Sequence, residues 1–147
     1  MSLMSKAVLF AWILLWFPVA NAQSAAQLVL SDAYMPAVPP VSRTAAVYLK
    51  LTNNSQTTFI LTGVETSIAM HAMIHRSIES DGVAKMIHLS SIEINPNETI
   101  EFAPGGMHIM LMGLSQSSLP EKFNLQLNFK NHTHQQVEVS VHSRTND

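Results

Sequence analysis

"HRSIESDGVAKMIH", residues 75–88, carries Asp-Gly at its centre, the strongest short-range signal for a β-hairpin. With Asp81–Gly82 as a two-residue loop, the whole register follows. Ser80 faces Val83, Glu79 faces Ala84, Ile78 faces Lys85, Ser77 faces Met86, Arg76 faces Ile87 and His75 faces His88. Alternate residues of a strand share a face, so Met86 lies on the face of His75, one diagonal step away and within reach of a long side chain. A loop one residue longer would send every side chain to the opposite face.

The same kind of segment recurs on both sides of the hairpin. Short stretches rich in β-branched and apolar residues run over 27–34, 43–52, 58–66, 70–78, 83–89, 98–102, 107–112, 122–130 and 134–142. Turn residues separate them: Pro36, Pro39 and Pro40, Asn53–Asn54, Asn95–Pro96, Pro104–Gly105–Gly106 and Asn131. In 123–129, Phe123, Leu125, Leu127 and Phe129 alternate with Asn124, Gln126 and Asn128, the pattern of a half-exposed strand. No stretch keeps a helical period. Eight or nine short strands predict an all-β, single-domain antiparallel sandwich or barrel.

The chain has 147 residues, 47% of them hydrophobic and 12% charged, with a net charge of −2 and no Lys/Arg cluster. Nucleic acid and anionic membranes are therefore poor partners. Residues 1–22 read as a secretory signal peptide. Lys6 precedes an apolar run from Ala7 to Phe17, and "ANA" at 20–22 supplies a small-x-small cleavage site after Ala22. Eleven apolar residues fall short of the ~20 that span a bilayer, so no stable membrane span is expected after cleavage. The mature domain is then 23–147. No carboxylate pair, Ser/His/Asp set or phosphate loop stands out, and an enzyme is not expected. Glu93, Glu98 and Glu101 read as a solvated edge. Asn53, Asn97 and Asn131 open N-x-S/T sequons that read as coincidental.

The histidines and methionines are the unusual feature. The chain has 9 Met, 7 His and no Cys. In "GGMHIMLMGL", residues 105–114, His108, Met110 and Met112 share one strand face, while Ile109 and Leu111 take the other. Two places thus pair His with Met on one face, His75 with Met86 and His108 with Met110. Either these are ordinary packed side chains or they are halves of a soft-metal site, which forms only if their strands meet. Thioether sulfur favours Cu(I), and imidazole accepts copper in either oxidation state.

The spacing His75, ten residues, Met86, twenty-one residues, His108, one residue, Met110 resembles the H-x10-M-x21-H-x-M pattern of the periplasmic copper chaperones known as PCuAC. "DGVAKM", "PGGMHIMLMGL" and "AAVYLKLTN" extend the likeness over roughly residues 30–142. The resemblance implies a cupredoxin-like β-sandwich of Greek-key topology that binds one Cu(I) per chain. Its ligands would be His75, Met86, His108 and Met110. It further implies a periplasmic metallochaperone that delivers copper to the copper A centre of cytochrome c oxidase. The oxidase subunit bearing that centre and a Sco-like thioredoxin-fold protein would be its partners. A copper storage or resistance protein, or a β-sandwich interaction module whose His/Met cluster is only packing, are the alternatives.

Other His and Met residues hold lesser positions. His71, Met73 and His88 share the face of His75, and Met112 that of Met110, as candidates for supporting groups or transient ligands. Met70 and Met107 have the opposite parity and read as core. His132 and His134 sit at an expected hairpin turn, with His142 beyond. These three are candidates for Cu(II) but read more simply as solvated.

Overall fold

The computed structural model describes residues 27–114, 119–130 and 133–142. The expected signal peptide and His132 lie outside them. Among the described residues every regular element is a strand: β1 (Leu28–Pro36), β2 (Thr44–Asn53), β3 (Phe59–Thr66), β4 (Ala69–Ser80), β5 (Val83–His88), β6 (Ile92–Ile94), β7 (Thr99–Phe102), β8 (Met107–Leu114), β9 (Lys122–Phe129) and β10 (His134–His142). Among these residues, no helix is long and apolar enough to cross a membrane. Nine of the strands coincide with expected segments. The tenth, β6, is three residues long and offers no run of alternation from which to read it.

The strands form one sheet in the order β5-β4-β8-β7-β2-β1-β10-β9-β3-β6, with a further β8–β2 pairing. β3 and β4 are joined by only Ser67 and Ile68 yet have six strands between them in that order. The sheet must therefore curl back over itself, and a single core fills the space between its layers. Ile74, Ile109, Leu111, Val47 and Leu49 enter it from one part of the sheet, and Leu61, Leu125, Leu127 and Phe129 from the other, all at most 4% exposed. Pairing is antiparallel except for β1 with β10 and a single rung between β7 and β8, which are parallel.

Bulges let sequence parity and core parity differ. In β1 the register slips between Ser31 and Tyr34, where Asp32 takes φ 53°, so Leu28 and Met35 both point inward. A slip between Leu61 and Gly63 in β3 does the same for Leu61 and Val64.

The hairpin pairs as its sequence dictates. Ser80 meets Val83, and the ladder runs without a slip to His75 opposite His88. Asp81 and Gly82 have φ of 55° and 73°, the positive values a type I′ turn requires at both central residues. Gly82→Ala is therefore expected to destabilise the fold by about 1–2 kcal/mol, read as a lower urea midpoint. A smaller loss would mean that the turn had changed type without affecting its strands.

Candidate metal centre

β4 lies between β5 and β8, so the two His/Met pairs meet as neighbours within one layer. His75 stands directly opposite His88 on β5 and directly opposite His108 on β8. Met86 lies opposite Ser77, one rung to one side of this row, and Met110 lies opposite Met73, one rung to the other. Diagonal neighbours across a ladder are about 7–8 Å apart, a distance that His and Met side chains cover between them. The structure thus brings all four expected residues to one face.

That face is not the core face. Ile74, Ile109 and Leu111 alternate with the His and Met positions and are 2%, 0% and 0% exposed. Met110 belongs neither to the buried core nor to the apolar side chains packed against it, and Met86 is 54% exposed. The reading of these methionines as core filler therefore does not hold for either. Among the described residues no group of three or more His, Cys, Asp or Glu is arranged to hold a metal ion. The four expected residues would offer an ion sulfur as well as nitrogen.

The imidazoles are set up unequally. His108 is 6% exposed, and its Nδ1 lies 3.3 Å from the Gly106 carbonyl oxygen. A carbonyl only accepts, so Nδ1 carries the proton and donates it, and Nε2 keeps a free lone pair. The same carbonyl accepts the backbone N–H of Ser77 at 3.0 Å, which ties the loop to β4. Gly105 shapes this turn with φ 79°, a value that favours glycine. Gly106 was not anticipated as part of the site; the "PGG" turn just before His108 was its only signal.

His75 Nδ1 is buried and has no hydrogen-bond partner, a costly state for a polar atom. Its ring lies 5.6 Å from that of His88 and 5.9 Å from that of His108, edge-on to both. Burial, and then the positive charge that His108 and His88 would carry, hold His75 below the ordinary histidine range. It is the neutral, metal-binding form that this environment favours. In the metal-free protein, an NMR titration of the His75 ring should give a midpoint below the unperturbed ~6.5. Linkage gives the sign for folding: the unfolded chain binds this proton first, so the His75 contribution to stability declines as pH falls from ~6.5. A midpoint at or above the unperturbed value would contradict this environment.

The remaining residues sort by geometry. His71 faces Met112 and Met73 faces Met110 across β4 and β8, on the shared face as expected. Met107 packs against the core as expected. Met70 does not: it is 74% exposed. Parity alone misleads there because Gly113 opposite has φ 68°, and the Met70 side chain lies where a Gly113 Cβ would stand. His134 and His142 occupy the two ends of β10, roughly 26 Å apart at strand rise, and so cannot share an ion. His142 stacks on Tyr34 at 5.1 Å instead.

Comparison with known proteins agrees with this architecture. The copper-bound PCuAC domain from PmoF2 superposes with a TM-score of 0.66 at 18% identity, covering 80% of this chain and 93% of that one. The solution structure of CuI-DR1885 from Deinococcus radiodurans gives a TM-score of 0.65 at 30% identity, covering 86% of this chain and 85% of that one. The fold is thus the cupredoxin-like sandwich of PCuAC domains. In sequence, "Putative lipoprotein Lxx21020" of Leifsonia xyli subsp. xyli is 31% identical over 98 residues, 65% of this chain and 59% of that protein's length. The family described as "Putative lipoprotein LpqE-like" matches residues 28–141. A match over that span leaves only the ends of the chain outside it, and the protein belongs to the LpqE-like family.

Proposed function

We propose that this protein is a periplasmic Cu(I) carrier that holds one ion between His75, Met86, His108 and Met110 and delivers it to the copper A centre of cytochrome c oxidase. The observation that carries the reading is the pair of imidazoles on one rung. His75 offers a buried nitrogen with no partner, His108 is fixed with one nitrogen free, and thioethers flank both. Likeness to the Cu(I) form of DR1885 at 30% identity supports the choice of metal.

The chemistry suits a carrier. Two thioethers bias the site toward the reduced ion and need no deprotonation to bind it. In an oxidising compartment they avoid the disulfide formation to which thiolates are open. Neutral ligands also release the ion to a cysteine-bearing acceptor by ligand exchange, and Met86 on the exposed edge strand gives that acceptor a place to begin. Export would be directed by residues 1–22, whose removal would release the mature domain. A Sco-like thioredoxin-fold protein would act alongside it at the same acceptor. The role is transport of an ion without catalysis.

The test is transfer. An excess of protein carrying one Cu(I) each is mixed with the metal-free, reduced copper A domain of an oxidase, with and without a Sco-like protein, and ferricyanide then withdraws the one electron that turns two delivered Cu(I) ions into the coloured mixed-valence centre, whose absorbance is read. Appearance of the centre with loss of copper from the carrier supports delivery. Retention of copper by the carrier under all these conditions would instead favour storage or resistance.

A further inference from the structure

The face that carries His75 and His108 does not end with them. One rung further along β4 and β8 Met73 stands opposite Met110, and one rung beyond that His71 stands opposite Met112. Directly opposed residues such as His71 and Met112 bring their Cβ atoms to about 4.5–5.5 Å, and Met73 lies diagonal to Met112 at about 7–8 Å, so His71, Met73 and Met112 form a triangle of one imidazole and two thioethers within reach of long side chains.

None of the three is needed for packing. Neither Met73 nor Met112 belongs to the core or to the apolar side chains packed against it. The core side of these strands is already filled by Ile74, Ile109 and Leu111. His71 is exposed. With Met73 it lines a cleft of about 230 Å³ between the end of β3 and the start of β4, with Glu65 also on its wall. An ion in solvent thus reaches both side chains directly, and a carboxylate there adds favourable charge.

We propose that His71, Met73 and Met112 form a second, weaker soft-metal position that takes a monovalent d10 cation, Cu(I) or Ag(I), beside the first. Imidazole and thioether donors select such ions over hard cations, and methionine's three rotatable bonds let two sulfurs close on one ion. Met73 lies between the two groups, facing Met110 of one and flanked along β4 by His71 of the other. It is therefore placed to pass an ion from the open cleft toward His75 and His108. The position stands on its own residues and does not require that His75, Met86, His108 and Met110 bind copper.

The test is a titration of the exported protein with Ag(I), followed through 13C-labelled methionine methyl groups in NMR. The first equivalent should shift Met86 and Met110. The second should shift Met112, the one methionine of the triangle that is not opposite Met110, together with Met73. In the double variant His71→Ala/Met112→Leu, the second step should weaken by about 10-fold or more while the first is unchanged. His71 is exposed and Met→Leu conserves volume, so this variant folds. Absence of a second step in the wild type would overturn the proposal, as would a second step that leaves Met112 unmoved or survives intact in the double variant. A titration that shifts Met112 and Met73 but never Met86 and Met110 would uphold it and refute the proposed carrier site instead.

Discussion

His108→Ala is expected to weaken Cu(I) binding by about 100-fold or more, which is about 2.7 kcal/mol. His108 is nearly buried, its tautomer is fixed by the Gly106 carbonyl, and it shares a rung with His75. His88, the other ring beside His75, lies on β5, on the side of β4 away from Met110. Competition against a coloured Cu(I) chelator under reductant measures the loss. Two neighbours in the same strand serve as controls. Met110→Leu conserves volume but removes a sulfur from the ligand face, and should also lose most of the affinity. Met107→Leu makes the same change on the core face, where Met107 packs, and should leave affinity unaltered. If His108→Ala competes for copper as well as the wild type, His108 is a structural histidine.

The largest effect on stability belongs to a residue far from the metal face. Asn53→Ala should destabilise the protein by about 3 kcal/mol or more, a large part of the ~5–15 kcal/mol that holds a typical domain together. Asn53 is 0% exposed, at the end of β2. The two hydrogens of its Nδ2 are shared among the carbonyls of Thr57 at 2.7 Å, Ile94 at 3.0 Å and Asn95 at 3.1 Å. Its Oδ1 accepts from the Ser55 N–H at 2.9 Å and the Ser55 hydroxyl at 2.8 Å. Its own backbone accepts from Asn97 and donates to Glu98. One side chain thus joins β2 to the loop between β6 and β7, and alanine would strand several of these groups in the interior. Asn53→Asp should be no better, since a carboxylate has no N–H to offer three carbonyls. Urea unfolding decides the point, and a loss under about 1 kcal/mol would mean that water replaces the amide. The sequon at Asn53 is spurious on the same grounds, because its amide is committed inside the protein.

Local rules carried much of this architecture. Asp81–Gly82 specified a turn type, the turn type set the register, and the register placed Met86 diagonal to His75, all from fourteen consecutive residues. Phe123, Leu125, Leu127 and Phe129 face inward as their alternation requires. What local pattern does not encode is which strands become neighbours. The adjacency of β4 and β8, which turns two separate His/Met pairs into one group, is a long-range pairing that only the folded sheet reveals. Asn53 reads as turn punctuation in the sequence, yet it is the best-satisfied buried polar side chain among the described residues. Met70 departs from its parity because parity assumes a regular partner strand, and Gly113, at φ 68°, does not provide one.

X-ray absorption at the copper edge of the protein loaded with one equivalent of Cu(I) tests the central claim most directly. The copper should be coordinated by both thioether sulfur and imidazole nitrogen, with the sulfur contribution reduced in both Met86→Leu and Met110→Leu. A shell of nitrogen and oxygen alone, or one that neither substitution alters, would contradict it.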